Sequence, residues 1–390
     1  MFWLAVVGTI LIWDSVLRFV LLCLRAVTTP RGVGDVIVET PRGTILIAAR
    51  NEAGTIGPTI LALREHLDEW PDVNIWVLAD RCTDETESEA AAAGARVASR
   101  ADGPLGKGAV LAWWLNTHRT AWADDDYLII LDADTRLVAG SLAALRRTVM
   151  SGAQVVQGFV APQAVNRAGR LAGWSEVLMQ RIDDEARQRL RWSVPLRGTG
   201  MIFQASLLAQ LAPRLHTLAE DLELDCLLAA HPAGVLTRVR FSPDAKIIDP
   251  KPPEVAGASR QRARWLQGQL QVLRDYPAAI FQALKRGGLS AWFLLWLLFL
   301  RPKMLLMALR FAVLILALCL GSAGKGLALV MAVGLLLDAA YYLGGAAFVE
   351  EPLRYCRDLL AVPRYGAMWL YSFGLAAFRR GRHGWLRAGR

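Results

Sequence analysis

Two aspartates spaced i and i+2, Asp132 and Asp134, follow directly on the apolar run Tyr127-Leu-Ile-Ile-Leu131. Carboxylates just past a buried strand can offer hard oxygen ligands to a divalent cation, with the phosphates of a nucleotide supplying others. Aspartates are also common in turns and at helix caps, so the pair alone carries little weight. Two further groups add to it. His216-Thr-Leu-Ala-Glu220-Asp221 opens a helical stretch with paired acids, which would favour the helix dipole in any protein. Gln261-Arg262-Ala263-Arg264-Trp265 opens another, where an Arg-Trp pair also suits an amphipathic interfacial helix.

These residues need elements to position them. Between about 43 and 276, short β-branched runs alternate with helical stretches, which predicts an α/β domain with a mainly parallel sheet. Strands are expected at Thr44–Ala48, Asn74–Leu78 (ending at Asp80), Arg96-Val97 and Tyr127–Leu131; helices at Ile56–Trp70, Glu85–Ala93 and Lys107–Thr120. Ligands of such sheets bind beyond the carboxyl ends of the strands. Ala49, Arg50, Asn51, Glu52, Asp80 and the Asp132 pair all fall there. No G-x-G-x-x-G follows a strand and no G-x-x-x-x-G-K-[ST] occurs, which disfavours dinucleotide dehydrogenases and P-loop ATPases.

The chain of 390 residues is 54% hydrophobic, with a mean hydropathy of +0.31, and its apolarity gathers at the two ends. Phe2 to Leu24 is long enough to span a bilayer, no Lys or Arg precedes it, and Arg18, Arg25, Arg31 and Arg42 come late. It reads as an uncleaved anchor (1–27) with the N-terminus outside. Region 288–390 reads as an interfacial helix (Leu289–Leu300), a transmembrane hairpin (304–349), a second interfacial helix (Val362–Phe378) and a basic tail. Asp14 and Arg18 are expected to pair, Arg310 to snorkel, and Asp338 to serve either a helix partner or an acceptor path. Of the net charge of +9, +6 lies in residues 351–390, where eight arginines face two acids. The basic balance therefore belongs to an anionic inner leaflet, and no nucleic-acid partner is expected. Five cysteines without a C-x-x-C pair suggest neither zinc nor disulfides.

The series Ala49-Arg50-Asn51-Glu52, Asp80, Gly106-Lys107-Gly108, Asp132-Ala-Asp134, Arg197-Gly-Thr-Gly200, Glu220-Asp221 and Gln261-x-x-Arg264-Trp265 resembles the membrane-bound family 2 glycosyltransferases of GT-A fold. Cellulose, chitin and hyaluronan synthases, exopolysaccharide-type enzymes and ceramide glucosyltransferases belong to that group. Ala219 stands where many members carry Thr. The resemblance implies a hexosyltransferase at the inner (plasma) membrane, multi-pass, with its catalytic domain and C-terminus in the cytosol. It implies inverting transfer from a nucleoside diphosphate sugar, with a UDP-sugar the expected donor, to a growing polysaccharide. The alternative is a single transfer to a membrane lipid.

On that reading Asp132 and Asp134 would hold Mg2+ or Mn2+, and Asp221, beside Glu220, would be the general base. Arg264 would meet the diphosphate, while Ala49, Arg50, Asn51, Glu52, Asp80 and Lys107 would enclose the nucleotide. Gly198, Thr199, Gly200, Gln261 and Trp265 would form the acceptor side. Membrane lipids, and a second copy or an export partner, complete the implied associations. A transporter is excluded by some 230 residues of α/β domain, and a nucleotidyltransferase by the lack of a Gly-rich, Arg-containing loop after the first strand.

Overall fold

The computed structural model describes residues 2–27, 41–164, 166–232, 238–251, 255–286 and 303–378, with positions 288, 292 and 295. Strands β1 (Gly43–Ala49), β2 (Asn74–Asp80), β3 (Arg96–Arg100) and β4 (Tyr127–Asp132) pair in parallel in the order β3-β2-β1-β4. Helices α2 (Ile56–Arg64), α3 (Thr86–Ala92) and α4 (Lys107–Thr117) connect them. Alternate residues of β1 serve two layers: Ile45 and Ile47 pack with Val77, Ile129 and Leu131, whereas Leu46 packs with Leu78, Leu128 and Ile130 on the other face. Each such side chain, fully removed from water, contributes about 1.5–3 kcal/mol.

Beyond β4 the expected mainly parallel sheet becomes mixed. β7 (Met201–Gln204) runs antiparallel to both β4 and β6 (Val155–Gln163); β8 (Val239–Pro250) is parallel to β6, and the short β5 (Arg136–Leu137) is antiparallel to β8. The cause is local. Gly200 donates its amide to the Ile130 carbonyl at 2.9 Å, so β7 starts at the carboxyl end of β4 and can only run back along it.

α2 also stops short of Trp70, giving way to a tighter turn at Leu67–Glu69. Trp70 is buried and donates Nε1 to the Pro41 carbonyl at 2.8 Å, while the Glu69 carboxylate accepts the amides of Gly140, Leu142 and Ala143 at the head of α5 (Ser141–Met150). Two tertiary demands override the helical pattern.

The C-terminal part contains two successive helices, α12 (Lys303–Cys319) and α13 (Lys325–Gly344), against which α1 (Phe2–Val27) packs. A Cβ on Gly8 would lie 2.8 Å from Leu327 Cδ1. Among the described residues one stretch, Gly321–Phe348, is long and apolar enough to cross a membrane. The expected helix Val362–Phe378 is continuous, because Pro363 falls in its first turn and needs no amide bond. The expected interfacial helix Leu289–Leu300, apart from positions 292 and 295, and the tail after 378 lie outside the described residues.

Arg310 does not snorkel. It is fully buried, donating Nε to the Leu11 carbonyl at 2.8 Å and Nη2 to Asp14 at 3.2 Å while pairing with Asp338. Arg18 holds the other oxygen of Asp14 at 3.0 Å. The two Asp and two Arg side chains thus cancel, and Asp338 serves as a helix–helix partner. Removing one member of a buried pair leaves an uncompensated charge and costs about 3–5 kcal/mol. Arg310→Leu is therefore expected to lower the thermal midpoint of the purified protein sharply, with Arg310→Leu plus Asp338→Leu recovering much of the loss.

Candidate active site

The Asp132 side chain is about half exposed, at 46%, at the end of β4. Lys107 reaches it from the first turn of α4: Nζ lies 2.5 Å from Asp132 Oδ1 and 2.7 Å from the Gly198 carbonyl. Gly106 precedes that turn at φ +120°, a conformation closed to other residues, and a Cβ on Gly108 would lie 2.6 Å from Leu215 Cβ. The turn Arg197–Gly200 is fixed from several sides. Thr199 Oγ1 accepts the Asp132 amide at 3.2 Å and contacts Thr135 Oγ1, while Gln157 accepts the Arg197 amide and donates to the Thr199 carbonyl. Gly198 and Gly200 both have positive φ. The turn expected on the acceptor side therefore also supports the Asp132 turn.

Glu220 and Asp221 begin α9 (Glu220–Ala230), as expected. A Cβ on Gly198 would stand 3.9 Å from Glu220 Oε1. Burial, with Asp221 and Asp132 adding repulsion that Lys107 only partly offsets, pushes the Glu220 carboxyl up to about 7. The same carboxylates hold the Lys107 ammonium above its usual range against the opposing effect of burial. The loop into α9 is clamped by Glu223, fully buried, which accepts the amides of His216 and Thr217 and the Tyr276 hydroxyl.

Helix α10 (Val255–Asp275) starts six residues before Gln261, so that motif lies inside the helix rather than at its start. It packs so closely on the loop before α9 that a Cβ on Gly268 would meet Ala219 Cβ at 2.6 Å. Gln261, Trp265 and Asp221 line one cavity of about 200 Å³, bounded also by Arg197, Met304 and Trp369. Arg264 Nε is buried and, among the described residues, has no hydrogen-bond partner.

The residues at the ends of β1 and β2 form a separate cluster. Asn51, at φ +56°, accepts the Thr83 amide at 2.7 Å; Glu52 donates its amide to Thr86 Oγ1 at 2.7 Å; the Ala49 carbonyl faces Cys82 Sγ; Arg50 is half-buried beside them. Asp80 is buried between Arg81 and Arg100, at 2.8 and 2.9 Å. Gln157, Glu223 and Arg100 carry no signal in the sequence: each is an ordinary polar residue until the fold brings its partner near.

Among the described residues no three His, Cys, Asp or Glu side chains converge as a metal-binding set. The Asp132 turn with Glu220 and Asp221 nevertheless gathers hard oxygen donors in excess of the single Lys107, which fits a divalent cation shared with a ligand's own oxygens. The raised Glu220 group binds a proton more tightly folded than unfolded. Its contribution to stability is thus present below about 4.5 and is lost as pH rises through about 7. Thermal unfolding of the metal-free protein is expected to show a falling midpoint across that window, and Glu220→Gln to flatten it.

A family model described as Glycosyl transferase family group 2 matches residues 127–343, and one described as Glycosyl transferase family 2 matches 44–208. No curated protein matches the chain. Among solved structures, the mannosyltransferase PcManGT from Pyrobaculum calidifontis, in complex with GDP-Man and Mn2+, aligns with a TM-score of 0.51 at 19% identity, over 95% of this chain and 98% of that one. Glucosyl-3-phosphoglycerate synthase from Mycobacterium tuberculosis, in complex with Mn2+, UDP and phosphoglyceric acid, aligns at 0.40 and 23% identity, over 61% and 83%. At such identities the likeness to PcManGT speaks for the fold. The first family model spans more than half of the sequence: the chain belongs to the glycosyl transferase family group 2, and it is a glycosyltransferase.

Proposed function

We propose that this enzyme moves a hexose, with inversion, from a nucleoside diphosphate sugar to an acceptor hydroxyl presented at its apolar helices. One observation carries the reading: Asp221 stands beside the Lys107, Asp132 and Glu220 cluster and also in the wall of the cavity that Gln261 and Trp265 line. A single displacement needs a base on the face opposite the leaving group, and Asp221 takes the proton of the attacking hydroxyl there. Arg264, whose Nε has no partner among the described residues, suits the diphosphate oxygens. Lys107 sits where it steadies Asp132 and the departing charge, and Ala49, Arg50, Asn51, Glu52 and Asp80 enclose the base and ribose. Asp132 and Asp134 hold Mg2+ or Mn2+, which when bound offsets the negative charge growing on the diphosphate. A nucleoside diphosphate sugar with Mn2+ is the same class of donor and cation as in the PcManGT complex.

The acceptor side supports a membrane seat. Leu329, Leu336 and Leu343 of α13 are 66%, 68% and 62% exposed, an outward apolar stripe suited to lipid. A domain over 43–276 at the cytosolic face of the inner membrane, with 1–27 and 288–390 as its attachments, accommodates this. Of the two acceptors implied by the resemblance, a growing polysaccharide and a membrane lipid, the cavity favours the lipid-held one. At about 200 Å³ it is smaller than the ~300–1,000 Å³ of pockets for drug-sized ligands, and Met304, Tyr365 and Trp369 of the C-terminal helices bound it.

Membranes containing the protein, given labelled UDP- and GDP-sugars, are expected to yield a product one sugar longer than its acceptor. A ladder of lengths would instead establish polymer synthesis. Asp221→Asn should lower transfer by about 10²–10⁴-fold with nucleotide affinity retained, whereas Asp132→Ala plus Asp134→Ala should weaken metal-dependent nucleotide binding. Near wild-type turnover in Asp221→Asn removes that residue as the base.

A further inference from the structure

The cavity beside Asp221 contains a charged group that neither the family motifs nor the donor chemistry uses. Lys251, just past β8, is 8% exposed, and its Nζ lies 2.7 Å from Glu176 Oε2 of α6 (Arg167–Leu178) and 2.7 Å from Asp249 Oδ2. All three line the cavity with Asp221, Trp265 and Trp369. Each carboxylate commits one oxygen to the ammonium, which leaves it a second to offer to the cavity that it lines. The ammonium likewise has one N–H beyond these two. The group thus offers two acceptors and one donor to whatever enters, with a net charge of −1.

Among the described residues, the other cations of the wall do not reverse that sign. Arg197 pairs with Asp184, and Lys303 faces Asp183 at 3.9 Å. Burial above all pushes the Asp249 carboxyl up to about 6, against the opposing effect of Lys251 and with smaller additions from Glu176 and Asp132. A phosphate or carboxylate would be repelled here. A neutral ring bearing several hydroxyls would be matched: its O–H groups donate to carboxylates, a ring oxygen accepts from the ammonium, and its C–H face lies well on an indole. Trp265 and Trp369 supply indoles from two different helices, and Trp369 is seated on Ala263 and Leu266.

We infer that Glu176, Asp249 and Lys251, with Trp369, form an acceptor subsite that takes a single neutral sugar ring, so that the acceptor is itself a glycoside and not a lipid phosphate or a plain alcohol. This rests on the glycosyl-transfer reading and fixes the acceptor class within it. No step of the transfer changes, since Asp221 still takes the proton.

Saturation-transfer NMR on the full chain in nanodiscs tests the subsite without requiring a donor. Methyl glucoside and methyl mannoside serve as glycoside probes and butyl phosphate as the lipid-phosphate probe. The ring protons of at least one methyl glycoside should receive saturation and butyl phosphate should not. Glu176→Gln and Asp249→Asn, close in shape to the native residues, should each weaken glycoside affinity about ten- to hundredfold, with UDP and GDP affinity unchanged. Binding of butyl phosphate in place of the glycosides, or glycoside affinity unaltered in both variants, overturns the inference. Loss of UDP and GDP binding in the wild-type chain would instead defeat the glycosyl-transfer reading, while glycoside binding is read in a separate titration.

Discussion

Three carboxylates and one buried ammonium share the head of the catalytic domain, and that imbalance of charge constrains everything around it. Lys107 can serve Asp132 only because α4 starts there, and α4 starts there because Gly106 turns the chain at positive φ and Gly108 lets the helix approach Leu215. The same ammonium holds the Gly198 carbonyl, so the Arg197–Gly200 turn is tied to the strand end that carries Asp132. Through Gly200 that tie also sets the direction of β7 and thus the mixed character of the sheet. Burial first, and then the repulsion of Asp221 and Asp132 that one ammonium only partly offsets, push the Glu220 carboxyl up to about 7. A site built this way is short of positive charge until a cation and a substrate arrive.

How far the sequence foretells this depends on the range of the interaction. β1, β2 and β4 were readable because each is a short, mostly apolar run ending at or just before a polar residue, and in a parallel sheet both faces of such runs are buried, whereas the edge strand β3, Arg96–Arg100, offers only Val97 and Ala98. The acids of α9 were readable because they open a helical turn, and the Asp132 pair because it follows a strand. Partners that arrive from far along the chain were not. Arg310 looked like a cation near the end of an apolar helix, and nothing local says that Asp14, 296 residues earlier, and Asp338 would enclose it. Trp70 completed a helical pattern, yet its indole is needed under β1. The antiparallel β7 follows from one amide bond to Ile130 that no periodicity records.

The apolar helices and the catalytic domain meet through polar contacts as well as packing. Asp183 and Asp184 sit in a π-helical turn, Met179–Asp184, that interrupts the helix from Arg167. That widening places consecutive carboxylates on different partners: the Tyr341 hydroxyl of α13 donates to Asp183 at 3.0 Å, while Asp184 pairs with Arg197. Arg197 is the first residue of the turn whose next carbonyl receives Lys107. Polar contacts, linked through the adjacent residues Asp183-Asp184 and Arg197-Gly198, therefore join the hairpin to the Asp132 turn, in a region where unpaired polar groups would be costly.

Those contacts bear on how acceptor and donor are brought into register. Tyr365, Trp369 and Met304 set one wall of the cavity and belong to the C-terminal helices, whereas Asp221 and Asp249 set the other and belong to the sheet domain. If the two bodies were joined by packing alone, small sliding of helices could move the walls apart by the fraction of an ångström that proton transfer cannot tolerate. Directional bonds from Tyr341 and Arg197 resist that sliding, as does the Asp358 carboxylate, which binds Arg170 at 2.9 Å and Trp174 at 3.2 Å and so fixes the helix Pro352–Leu359 to α6. Glu176 is on that same α6, one turn from Ala172 in the cavity wall. The polar contacts that seat the C-terminal helices are thus also those that hold the α6 wall of the cavity at a fixed distance from Asp221.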